Sequence, residues 1–231
     1  MTMTGTLIIP ALNEAATIAQ QLEHLRALSA GQWQLVVVDG GSTDGTPEKA
    51  RPFCDRILSS APGRARQMNA GAMQADGNIL LFLHADTRLP PDFAAQMEQF
   101  AQQGGQWGRF DVRLDGEHAL FRLIEWMMNH RSRWTGIATG DQAIFMTREF
   151  FQRSGGFGDM PLMEDIDFCK RARRLARPVC ISSPVITSAR KWQQNGILRT
   201  VLLMWWLRLA FFLGVPPAIL HRWYYPSPCP R

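Results

Sequence analysis

Short, continuous apolar runs alternate with amphipathic stretches through the first 90 residues. Residues 7–9 form the first run, closed by Pro10, and residues 35–38 run into Asp39. A weaker run covers residues 56–58, and a strong one covers 79–83 before ending at His84-Ala85-Asp86. Val/Ile/Leu runs of this length predict strands buried on both faces of a sheet. Between them, Ile18, Leu22, Leu25 and Leu28 recur at three- and four-residue spacing, which predicts an amphipathic helix over about 14–28. Further helices are expected from Thr46-Pro47 and over about 64–74, giving β-α-β-α-β-α-β and hence a mostly parallel sheet with helices on both faces.

The second half is less regular. Pro90-Pro91 opens a helix to about residue 103, and Gly104-Gly105 closes the first half. Residues 107–114 read as a strand, 117–133 as a helix and 142–146 as another strand. No internal repeat or low-complexity linker interrupts the chain. Residues 197–220 are dense in Leu, Trp and Phe, but Arg199 and Arg208 interrupt them and Gly214, Pro216 and Pro217 end the helix. The stretch is too broken for a membrane span. Three readings stay open for it: a helix on the domain's own core, a helix in a membrane interface, or an oligomer contact.

At 231 residues and 46% hydrophobic, the chain can bury one full core, and its length permits two domains at most. A formal charge of +5 suits an anionic ligand or membrane surface, and equally a generally basic protein. No zinc-finger or recognition-helix pattern appears, so nucleic acid is not an expected partner. Cys54, Cys169, Cys180 and Cys229 lack metal-ligand spacing, and residues 1–6 lack a secretory n-region. A cytoplasmic chain with reduced thiols is expected, peripheral to the inner face of the cell membrane if the C-terminal helix touches lipid.

Acidic residues follow the apolar runs, at the sheet edge where open α/β folds bind ligands. Asp39 and Asp86 share that edge, and Glu164-Asp165 opens a helical segment. Converging carboxylates point to a divalent cation and the polyphosphate it neutralises. A lone strand-end Asp more often caps a turn, which is the expected role of Asp44. Arg64 and Arg66 are candidates to contact a diphosphate, or else a solvated helix start. There is no GxxxxGK[ST], the Gly40–Gly45 turn does not fit GxGxxG, and no GxSxG occurs. P-loop, Rossmann and α/β-hydrolase chemistries are therefore disfavoured.

Pro10-Ala11-Leu12-Asn13-Glu14, the Asp39–Asp44 turn, His84-Ala85-Asp86, Gly155-Gly156-Phe157 and Glu164-Asp165 follow one another in an order that resembles family-2 glycosyltransferases of GT-A fold. The likeness covers about residues 5–195. The combination of His84-Ala85-Asp86-Thr87, Gly140-Asp141-Gln142 and the 163–168 segment is similar to a bacterial subgroup often found beside radical-SAM genes, called transferase 2. The resemblance implies a GT-A domain over 1–195, with a nucleotide-binding half (1–104) and an acceptor half (105–195). An apolar helical extension covers 196–231.

Residue roles follow from the same resemblance. Pro10, Ala11 and Glu14 would border the base and ribose, Asp39 would accept from the base imide, as suits uracil or guanine, and Ser42 would support the turn. Arg64 and Arg66 would flank the donor, with His84, Ala85 and Asp86 beside its diphosphate. Asp86 matches the metal-binding Asp of the family's DxD. His84 replaces the first Asp, and imidazole tolerates Mn2+ better than Mg2+. Asp165 matches the catalytic base and Glu164 orients it or the acceptor. Trp107, Gly140 and Asp141 fall where the family builds its acceptor pocket. The processive QxxRW motif is not kept: Ser188 to Trp192 retains only the Trp, with Arg190 ahead of it.

The expected activity is inverting, non-processive transfer from a nucleotide-diphosphate sugar, UDP-linked, to the hydroxyl of a sugar, lipid or small molecule. Two alternatives remain: a nucleotidyltransferase of related fold, and a catalytically idle nucleotide-sugar-binding or membrane-associated protein.

Overall fold

A computed structural model describes residues 5–225. Residues 1–4, on which the reading of the N-terminus rests, and Cys229 lie outside the described residues. Along the chain run β1 (Gly5–Ala11), α1 (Ile18–Leu28), β2 (Trp33–Asp39), α2 (Thr46–Ala50), β3 (Arg56–Ser59), α3 (Arg64–Met73) and β4 (Ile79–Phe82). Then come β5 (Thr87–Arg88), α4 (Phe93–Gln102), β6 (Trp107–Asp115), α5 (Ala119–Thr135), β7 (Phe145–Thr147) and α6 (Arg148–Ser154). The remainder is α7 (Glu164–Leu175), β8 (Val179–Ser188), α8 (Arg190–Asn195), α9 (Ile197–Phe212) and α10 (Pro217–Tyr224).

Among the described residues these strands form one sheet in the order β3-β2-β1-β4-β7-β6-β8-β5. β1 to β4 are mutually parallel. β7 is antiparallel to β4 and to β6, so β6 and β8 run in the same direction as β4. The ends of β1, β2, β4, β6 and β8 and the start of β7 thus meet at one edge. Both halves of the chain contribute to this sheet.

Alternate side chains of the parallel strands feed two cores. Leu7, Ile9, Leu35 and Val37 face α1 and α4, packing on Ile18, Leu22, Phe93 and Phe100. Ile8, Val36, Val38 and Leu80 face the other way, toward Met68, Phe150, Phe168, Leu207 and Leu220. At Gly71, α3 comes so close to β1 that a Cβ would lie 2.4 Å from Ile8 Cγ2.

Several boundaries differ from the sequence reading. Pro10 lies inside β1. Ile8 accepts from Leu83 N–H and Ala11 accepts from Gly40 N–H, so the missing N–H of Pro10 faces the β4 side, beyond the last β1–β4 pair at Phe82. Helix α1 begins at Ile18, not near Glu14, because Asn13 has φ 56° and Glu14 opens a turn that accepts from Thr17 and Ile18 N–H. Gly140–Gln142 is a 3-10 turn, and the strand starts only at Phe145 because Ala143 is left-handed, with φ 44°. β4 stops two residues before His84. The alternation also gave no sign of β5 or β8.

Residues 197–220 divide into α9 and α10 around Gly214. Leu207, Ala210 and Leu220 pack into the second core, so the inner face of this unit belongs to the domain. Leu198, Leu202, Trp206, Phe212 and Leu213 stay exposed. Among the described residues no helix is long and apolar enough to cross a membrane.

Candidate active site

The common strand edge opens into a cleft of about 1660 Å3. From the first half, Pro10, Ala11, Glu14, Arg64, Arg66, His84, Ala85 and Asp86 stand on its wall. From the second half come Gly140, Asp141, Glu164 and Asp165, with Arg190 and Trp192 of α8. These residues are far apart in sequence, and the parallel register brings them together.

Asp39 and Ser42 lie outside that wall, in the turn beside it. Asp39 Oδ2 accepts from Gly41 and Ser42 N–H at 3.0 Å, while its Oδ1 is buried without a partner. Ser42 Oγ accepts from Asn13 N–H and Asn13 Oδ1 accepts from Thr43 N–H, both at 2.9 Å, lacing the β1 and β2 turns together. Asp44 holds its turn as expected, accepting from Ala15 N–H, Thr46 N–H and Thr46 Oγ1. Gln67 is buried and donates to Ala11 and Val38 carbonyls at 2.8 Å, tying the two strand ends.

The centre of the cleft is built on Gly140. Its N–H donates to Asp165 Oδ2 at 2.9 Å, and Ile166 N–H approaches Asp165 Oδ1 at 2.7 Å. On its other side lies His84. A Cβ on residue 140 would fall 2.5 Å from His84 Nε2, while His84 Nδ1 stands 3.3 Å from Asp141 Oδ1. One turn therefore joins the His84 strand end to the Asp165 helix start, and only glycine leaves room for it. Met163, just before α7, has φ 71°, a left-handed conformation strained for a non-glycine residue.

Burial raises the Glu164 carboxyl, the neighbouring Asp165 charge raises it further, and Arg64 pulls it back in part. Burial also raises Asp165, against the two backbone N–H groups that favour its ionised form. Arg66 is engaged with Asp159 at 2.7 Å on the exposed rim, leaving Arg64 as the guanidinium nearer the acidic pair.

Trp107 is not a pocket residue. It sits at the start of β6, paired with Met146 at the opposite edge of the sheet. It is fully buried against Phe150 and Phe168, and its Nε1 donates to the Ala176 carbonyl. Arg131, by contrast, stands on the cleft wall, and nothing singled it out in the sequence. The available signal was a cation within the α5 stripe Ile124, Met127, Met128.

Among the described residues no three His, Cys, Asp or Glu side chains gather into a ready metal cage. Asp86 is exposed on the wall, and the nearby His84 Nδ1 already faces Asp141. This donor set fits a cation that takes one or two protein ligands and completes its shell with phosphate oxygens and water.

Residues 6–155 match the family described as Glycosyl transferase family 2. Over 205 residues the chain is 30% identical to the PGL/p-HBAD biosynthesis glycosyltransferase of Mycobacterium bovis, covering 79% of this chain and 72% of that protein. Its fold is similar to glucosyl-3-phosphoglycerate synthase from Mycobacterium tuberculosis, solved with Mn2+, UDP and glucosyl-3-phosphoglycerate. That match has a TM-score of 0.64 at 20% identity and covers 93% of this chain and 81% of that one. It is also similar to a Pyrobaculum calidifontis mannosyltransferase solved with GDP-Man and Mn2+, with a TM-score of 0.62 at 24% identity. That match covers 80% of this chain but spans only 56% of the mannosyltransferase.

Proposed function

The chain belongs to glycosyl transferase family 2, with the GT-A-like fold, and we propose that it moves a sugar from a UDP-linked donor to an acceptor hydroxyl with inversion, once per acceptor. The observation that carries this reading is the convergence of Asp86 and Asp165, from opposite halves of the chain, on one cleft. The bacterial radical-SAM-associated subgroup is the finer placement the motifs favour.

In this reading Asp165 takes the proton of the acceptor hydroxyl as its oxygen attacks the anomeric carbon. The bond from that carbon to the β-phosphate oxygen breaks on the opposite face, and the nucleoside diphosphate leaves. Gly140 N–H fixes the carboxylate through the bond at 2.9 Å, so the base is positioned before the acceptor arrives. Arg64, on the cleft wall, meets the charge that builds on the leaving group, and Arg190 can add to it. Pro10, Ala11 and Glu14 border the nucleoside, and Asp39, in the turn beside the cleft, would have to turn Oδ1 toward it to accept from a base N–H. Glu164 orients the base, and Asp141 holds His84.

A divalent cation, Mn2+ or Mg2+, would neutralise the departing diphosphate when bound. Asp86 would hold it, and His84 would join only by giving up its contact with Asp141. The other partners of this reading are a sugar, lipid or small-molecule acceptor and the inner face of the cell membrane, through α9 and α10.

The decisive experiment pairs two variants. Asp165→Asn is expected to lower kcat about 10²–10⁴-fold while UDP binding stays within a few-fold. Asp86→Ala is expected to weaken UDP binding only when Mn2+ is present, by titration with and without chelator. Loss of UDP binding in Asp165→Asn, or a chelator-independent loss in Asp86→Ala, contradicts the assignment.

A further inference from the structure

Arg131 lies at the centre of an α5 face turned to the cleft, between Ile124, Met127 and Met128 on one side and Trp134 on the other. These positions recur at three- and four-residue spacing, the stripe a helix normally buries in an apolar core. Here Ile124 is buried with Phe121, and Met127, Met128 and Val201 pack against that cluster, while the same stripe borders the cleft and carries a guanidinium. Its Nε and Nη2 are both buried with no hydrogen-bond partner. Buried guanidinium nitrogens are ordinarily bonded, so two without partners in a side chain on the cleft wall leave its charge without a bonded counter-group, which an anionic ligand would supply.

The facing wall repeats the arrangement. Val201, Met204, Trp205 and Arg208 of α9 line the same cleft, and Arg208 Nε is likewise buried without a partner. Trp134 and Trp205 line the cleft while remaining 82% and 57% exposed, so the apolar lining continues to the outer surface. Arg131 and Asp165 line the same cleft; burial lowers the Arg131 guanidinium, and the Asp165 charge offsets this in part.

We propose that the chamber between α5 and α9 is a binding site for an apolar molecule carrying an oxyanion, with Arg131 reading the anion and the two helix faces holding the apolar body. The role of that molecule as the acceptor rests on the glycosyl-transfer reading, in which a hydroxyl of the same molecule, apart from the oxyanion, gives its proton to Asp165; its chemistry rests on the chamber itself. A neutral sugar would bring no charge to Arg131. The oxyanion could belong to a lipid phosphate or to a soluble aromatic acid, and both share the chemistry the chamber selects.

Calorimetric titration of the full chain distinguishes the outcomes. The probes are n-dodecyl phosphate below its aggregation concentration, phenyl phosphate, and the neutral n-dodecyl maltoside, with UDP plus Mn2+ as control. Saturable binding of dodecyl phosphate is expected, weakened at least tenfold in Arg131→Gln, with the Kd for UDP unchanged. Arg131→Lys keeps the charge without the planar fork and is expected to fall between the two, which covers a glutamine variant that fails to fold. Tighter binding of dodecyl than phenyl phosphate identifies a lipid source, and the reverse order a soluble aromatic one. Equal dodecyl phosphate affinity in wild type and both variants overturns the inference. So does an equal loss of UDP binding, or maltoside binding as tight as phosphate. Arg131-dependent binding in a protein that fails to bind any nucleotide would leave the site standing and refute the transferase reading alone.

Discussion

Glu164 and Asp165 are set apart from the other acidic residues by burial without full neutralisation. Burial raises both above their ordinary values of 4.5 and 3.8, helped at Glu164 by the Asp165 charge and at Asp165 by the Asp141 charge. A base works only when ionised, so the acid limb of the kcat/KM profile should lie above the ordinary carboxylate range. The sign for stability is opposite to that of a salt-bridged carboxylate. The folded protein keeps these protons after the unfolded chain has released them, so stability falls as pH rises from about 4 through the raised values. Glu164→Gln removes one of the two charges. Removing that buried carboxyl should raise Tm at pH 7 by roughly 2–4 °C, a gain that vanishes below about pH 4. Thermal unfolding at the two pH values, with the kinetic profile, checks both. The motif residues were legible in the sequence because each strand-end acid follows its own apolar run. Trp107 was misread because a motif position says nothing about which end of its strand faces the cleft. Arg131 was missed because its isolation is visible only once the facing helix is in place.

At the scale of elements, the 3-10 turn at Gly140–Gln142 does more than any single helix to assemble the site. It lies between β4 and α7 and touches both, through His84 and Asp165. Gly140→Ala places a methyl 2.5 Å from His84 Nε2, so either the imidazole or the turn must move. Displacing the turn carries the Gly140 N–H away from Asp165. A misplacement of that kind is expected to lower kcat about 10²-fold, with Tm within a few degrees of wild type. An unchanged kcat would separate the turn from the chemistry. The last residue of this turn, Gln142, reads in the sequence as the start of a strand because residues 142–146 are nearly all apolar, and the left-handed Ala143 leaves no mark in that pattern. The parallel strands could be read because burial on both faces makes them continuous Val/Ile/Leu runs. β8 could not, because it mixes polar residues with Pro184 and pairs with β6 across a register shift after Phe110.

On the whole-molecule scale, besides the α9 residues that line the cleft, α9 and α10 have an inner and an outer face with different tasks. The inner one, through Leu207, Ala210 and Leu220, completes the second core, which is why removing the whole segment would test folding before anything else. The outer one leaves Leu202, Trp206 and Leu213 at 65%, 55% and 76% exposure, with Trp206 stacked on Trp223. A contiguous apolar surface on a chain of net charge +5 is suited to an anionic bilayer, where each such side chain adds about 1.5–3 kcal/mol on full burial. Replacing Leu202, Trp206 and Leu213 together by Ser spares the inner face, so Tm should hold. Flotation with phosphatidylglycerol vesicles should fall from nearly complete to background. If the triple variant floats like wild type, the membrane reading fails. If neither protein floats and light scattering shows a dimer that the variant loses, the face is a contact between copies. The exposed mouth at Trp134 and Trp205 would then open beside that contact rather than toward lipid.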